Sequence, residues 1–139
     1  MSTVHYKLLT EEVTLTSLEI IPREDKVYYL ASPFTAKSKD LERQRYEDVE
    51  YAAHLLYERG YVLIEPIASA YSKSLRFNLP SDYNYWAERD RKLIEISDGI
   101  IIANIDGWLE SVGVLDEMVH AIRLGKPVYL FTYKTGEMI

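Results

Sequence analysis

Four short apolar runs, Val27–Ala31, Tyr61–Ile64, Gly99–Ala103 and Val128–Phe131, are separated by stretches long enough for helices. A strand that is apolar at nearly every position needs cover on both faces, a condition met by parallel strands joined through helical crossovers. Right-handed crossovers then give an α/β, flavodoxin-like (Rossmann-like), doubly wound parallel sheet of four to five strands with flanking helices. Helices are predicted from about Asp40 to Arg59, closed by Gly60, from Ser81 or Asp82 to Ser97, and from Val112 to Gly125. Residues 67–81, with scattered polar side chains and Pro80, read as a long loop after Pro66 stops the second strand. The first 26 residues fall outside the repeat. Tyr6–Leu9 and Val13–Ile21 are β-rich, so residues 1–26 are read as an added hairpin or an arm onto a partner subunit, and 27–139 as the domain.

Composition narrows the function classes. The net charge is −6 and the pI about 5.1, whereas a nucleic-acid polymer normally demands a basic face. There are no cysteines, which excludes disulfide frameworks and suits a reducing cytosol. No apolar run approaches the roughly 20 residues of a membrane span, and the N-terminus lacks a basic-then-apolar signal pattern. A soluble cytoplasmic protein is therefore expected. His5, His54 and His120 show no ligand spacing, so no metal is expected. Phosphate-binding glycine motifs and a Ser or Cys nucleophile elbow are lacking as well, and no cofactor is expected.

In doubly wound sheets ligands bind beyond the carboxyl ends of the strands. That gathers the Ser32–Thr35 loop, residues 66–80 and residues 104–113 around one cleft. On the second predicted helix Trp86, Asp90, Leu93, Ile94 and Ser97 share one face. Asp90 is thus a carboxylate on the stripe expected to be buried, which is costly unless it is paired or functional. On the third, Val112, Leu115, Val119 and Ile122 form an apolar stripe, with Glu117 nearly opposite and, by angle alone, an exposed glutamate. Ser111 is a good N-cap and Gly113 would admit a ligand to the first-turn amides, an anion site. The helix dipole is expected to keep Glu117 ionised. Two acids beside one cleft suit glycosyl transfer, in which one attacks the anomeric carbon and the other handles protons.

Tyr28-Tyr-Leu-Ala-Ser-Pro-Phe34, Trp86…Asp90, Asp98-Gly-Ile-Ile-Ile102, Gly107-Trp…Ser111-Val-Gly113…Glu117 and Gly125-Lys-Pro-Val128 occur in that order. Over residues 27 to 135 the chain resembles the nucleoside 2-deoxyribosyltransferase-like superfamily, especially a bacterial and phage branch of small proteins. The resemblance implies Glu117 as nucleophile, Asp90 as the acid near sugar and base, and Tyr29 as the residue that helps hold the nucleophile. Ser111, six residues before Glu117, is similar to the 2′-deoxynucleoside 5′-monophosphate N-glycosidases, where transferases tend to carry an acid. Ser32, Ser111 and Gly113 would then face the substrate. Thr135 would reach the phosphate of a neighbouring subunit, which implies a homodimer or higher homo-oligomer. Phe34, Trp86 and Trp108 are candidates to stack on the base. The glycosidases also carry a first-loop Arg, and Ser32-Pro33-Phe34-Thr35 has none; Lys37 and Lys39 are the nearby cations. The expected activity is N-glycosidase cleavage of a (deoxy)nucleoside or its 5′-monophosphate. The alternatives are base exchange by a 2-deoxyribosyltransferase, a non-catalytic nucleotide-binding module, and a structural oligomerisation protein.

Overall fold

The computed structural model describes residues 11–14 and 21–133. Strands β2 (Tyr28–Ala31), β3 (Leu63–Ile64), β4 (Gly99–Ala103) and β5 (Val128–Thr132) pair in parallel, and β1 (Glu11–Thr14) adds beside β5. The order across the sheet is β1-β5-β4-β2-β3. Four helices flank it: α1 (Lys39–Glu58), α2 (Pro66–Phe77), α3 (Tyr83–Ile96) and α4 (Val112–Arg123). Strand order reverses between β2 and β4, the topological switch point of a doubly wound sheet.

Alternation along β2 divides the core. Tyr28 and Leu30 pack with Val49, Ala52, Ala53 and Leu56 of α1. Tyr29 and Ala31 face the other way, with Ile94 of α3 and Val114, Met118 and Ala121 of α4. Both faces are covered, which is why the strands read as unbroken apolar runs.

The helix ends follow local chemistry. The Ser38 hydroxyl accepts from Leu41 N at 3.1 Å, and the Asp82 carboxylate accepts from Tyr85 N at 3.2 Å. At the other end of α3, Lys126 Nζ donates to the carbonyls of Ile94, Glu95 and Ser97. Gly99 begins β4 where an added Cβ would lie 2.8 Å from Pro127 O. The Asp98 carboxylate accepts from Val27 N at 2.8 Å. The Asp98-Gly99 and Gly125-Lys-Pro-Val128 motifs are therefore scaffold at the amino end of the sheet.

Two expectations are corrected, and a third falls partly outside the described residues. Residues 67–81 are mostly helix, not loop: α2 opens with Pro66 in its first turn, where proline's fixed φ is compatible, and ends at Asn78 with φ 55°. Of its residues only Pro66 is buried, and the flanking prolines and scattered polar side chains mask the helical spacing of Ile67, Tyr71 and Leu75. The described part of the N-terminal segment, Glu11–Thr14, is an edge strand parallel to β5 of the same chain; Tyr6–Leu9 and residues 15–20, on which the hairpin or arm expectation also falls, lie outside the described residues. Finally, the face of α4 turned to the sheet carries Val114, Glu117, Met118 and Ala121. The stripe predicted to be buried looks outward instead, with Val112 76%, Val119 39% and Ile122 37% exposed.

Candidate active site

Rotating α4 this way carries Glu117 under the sheet, and three polar side chains meet there. Asp90, one turn and a half from the end of α3, and Glu117 are each 5% exposed. Tyr29, on the same face of β2, donates its hydroxyl to Glu117 Oε2 at 2.6 Å. The Asp90 carboxyl is close enough to Glu117 and to the Tyr29 hydroxyl to exchange a hydrogen bond with either. All this lies at the β2/β4 switch point, against a cavity of about 560 Å³ that Asp90 and Glu117 help line.

Burial dominates the protonation of the pair. Removal from water raises the Glu117 carboxyl well above its ordinary range and the neighbouring Asp90 charge raises it further, while donation from Tyr29 opposes the shift. Asp90 is also raised by burial, but Arg89 restrains it. The Arg89 guanidinium donates to Asp90 Oδ1 from Nε at 2.9 Å and from Nη2 at 2.7 Å. It reaches α2 as well, donating to Ser69 Oγ and Pro66 O, and lies 4.6 Å over the Trp86 ring. Arg89 thus favours the ionised form of Asp90, and the proton held between the two acids resides chiefly on Glu117. The expectation that the helix dipole keeps Glu117 ionised is overturned, because the residue sits in the second turn of α4 and desolvation there outweighs the dipole. Burial and the Glu117 charge raise the Tyr29 hydroxyl in turn, so it remains a donor.

The remaining candidates divide. Ser32, Phe34, Ser111 and Gly113 line the cavity, as does Trp86. The Ser111 hydroxyl accepts from Val114 N at 3.2 Å as the N-cap of α4, which leaves its proton free to donate. Gly113 also makes room for a neighbour: an added Cβ would lie 3.0 Å from the Tyr83 ring. Tyr83 in turn donates to Asp116, which also pairs with Arg91 at 3.0 Å. Trp108 is 4% exposed within the core around Tyr29 and Leu130 and is not among the cavity-lining residues. Thr135 lies outside the described residues. Sequence reasoning passed over Arg45, Tyr83, Arg89 and the α2 wall at Pro66, Ile67 and Ala70, all of which line the cavity. Among the described residues no group of three or more His, Asp or Glu side chains is disposed to hold a metal ion, and no helix is long and apolar enough to cross a membrane.

Fold and site together define a doubly wound α/β protein with a buried carboxyl pair in a cavity at its switch point. Within that class, the chain belongs to the family described as a domain of unknown function, DUF1937, which it matches over residues 26–133. No curated protein matches it.

Proposed function

We propose that this protein cleaves the N-glycosidic bond of a (deoxy)nucleoside or its 5′-monophosphate through a glycosyl ester on Glu117. The observation that carries the reading is the contact set of Tyr29, Glu117 and Asp90 at the cavity wall. A carboxyl pair that holds one proton contains both an acid and a latent nucleophile. The resemblance to the nucleoside 2-deoxyribosyltransferase-like superfamily supplies the substrate class.

In the first half-reaction the C1′–N bond breaks and a C1′–O bond to Glu117 forms. The proton shared by the pair passes through Asp90 to the departing base, so the base leaves neutral and Asp90 is left ionised. Water then attacks C1′ and gives its proton to Asp90, and the ester bond to Glu117 breaks. The products are the free sugar, or sugar phosphate, and the base, with the pair again holding one proton. Tyr29 donates to Glu117 and is the opposing influence that lowers its proton affinity. It positions the nucleophile and eases its ionisation.

Incubation with a panel of nucleosides and 5′-monophosphates, with and without a second free base, tests this. Base release by the wild type and its loss in Glu117→Gln is the expected result. Exchange into the second base would make the protein a deoxyribosyltransferase. Absence of turnover on every substrate would favour a non-catalytic nucleotide-binding module and overturn the proposal.

A further inference from the structure

Arg45 is a cation in the cavity wall that no ion pair among the described residues engages. It projects from α1 on the stripe that continues through Val49, Ala52 and Leu56 into the core. Its Nη1 donates to Thr35 O at 2.8 Å, in the loop that follows β2. Its Nε is buried and has no hydrogen-bond partner. The ion pairs of the described residues engage Arg43, Arg89 and Arg91, not Arg45. Gly107, at φ +95°, makes room for the guanidinium: an added Cβ would lie 2.6 Å from Arg45 Nη2. A buried guanidinium donor without an acceptor is costly, and the positive charge beside it faces a cavity shared with Ser32 and Ser111.

We infer that Arg45 is the receptor for the 5′-phosphate of the substrate and makes the protein selective for nucleoside monophosphates over nucleosides. A planar guanidinium fork matches phosphate oxygens in a way that a lysine ammonium does not. Arg89 is already committed to Asp90, whereas Arg45, held by Thr35 O, pairs with no carboxylate among the described residues. The Ser32–Thr35 loop lacks an arginine of its own, and Arg45 brings one to it from α1. The inference rests on the glycosidase reading for the identity of the substrate, but binding of the phosphate does not depend on chemistry.

Calorimetric titration with ribose 5-phosphate and with ribose separates the two. The wild type and Glu117→Gln should both bind ribose 5-phosphate, at least roughly ten-fold tighter than ribose. Arg45→Gln should lose roughly ten- to a hundred-fold in affinity for ribose 5-phosphate, the worth of charge-assisted hydrogen bonds. Arg45→Lys, which keeps the charge, should recover part of it. Thermal melts show whether each variant is folded. If base release fails while these affinities hold, the glycosidase reading falls and the anion site stands. Equal affinity of folded Arg45→Gln and wild type for ribose 5-phosphate, or no preference of the wild type for the phosphorylated sugar, overturns the inference.

Discussion

Glu117 is a carboxyl that the fold prefers to keep protonated, and this has a stability consequence of definite sign. Its folded pKa is raised above the ordinary 4.5, so the native state binds more protons than the unfolded chain at pH values above 4.5. Stability contributed by this group is therefore complete below that pH and declines as pH rises, by at most about 1.4 kcal/mol per pH unit. Glu117→Gln keeps an acceptor for Tyr29 and removes the ionisation. Thermal melts from pH 5 to pH 8 should show the variant gaining on the wild type as pH increases; parallel curves would contradict the buried, protonated state. Tyr29→Phe removes the donor that opposes the rise. Turnover should fall by roughly ten- to a hundred-fold, the value of one hydrogen bond to a charged group. The alkaline limb of the pH–rate profile, where the pair loses its one proton, should also move to higher pH, a shift that a merely structural role would not produce. Asp90 was legible in the sequence because it interrupts an apolar stripe. Arg45, one turn before Val49 on the buried face of α1, interrupts an apolar stripe in the same way.

At the scale of elements, strands and most helices could be read from the sequence because burial on two sheet faces leaves a dense apolar pattern. The pattern misleads where elements meet solvent or a cavity. The helix α2 forms a wall of the cavity and buries only Pro66, and the prolines and polar residues around it read as loop although Ile67, Tyr71 and Leu75 keep helical spacing. In α4 the buried face includes Glu117 and the outward face includes Val112, Val119 and Ile122, so hydrophobicity pointed to the wrong side. Capping is where local chemistry and tertiary structure combine most clearly. Lys126 satisfies the carbonyls at the end of α3 from the start of β5. Lys126→Ala should lower unfolding free energy by about 1–3 kcal/mol in urea titration. Because it acts at the amino end of the sheet, opposite the cavity, kcat at saturating substrate should stay close to wild type. A large loss of kcat without loss of stability would mean that α3 transmits strain to Asp90.

For the whole molecule, the switch point between β2 and β4 explains why residues from β2, α3 and α4 converge although Tyr29 and Glu117 are 88 positions apart in sequence. That convergence follows from topology, which the alternating pattern predicts. The fine choice of side chains in the cavity does not follow from it, since Trp108 packs in the core and does not line the cavity. The resemblance implies a homodimer or higher homo-oligomer, and the exposed Val112, Val119 and Ile122 of α4 are the face on which to test it. Light scattering should give twice the chain mass of 16.2 kDa, and the double variant Val119→Asp with Ile122→Asp should give the monomer; a monomeric wild type would contradict it. The central claim is that Glu117 becomes covalently bonded to the sugar. Its most direct test is intact-protein and peptide mass spectrometry after incubation with a 2′-fluorinated nucleoside 5′-monophosphate, whose fluorine slows release of the glycosyl ester. A sugar phosphate adduct on the peptide carrying Glu117, formed with release of base and absent from Glu117→Gln, is the predicted result. Base release with no adduct at Glu117, or an adduct that persists in Glu117→Gln, would contradict it.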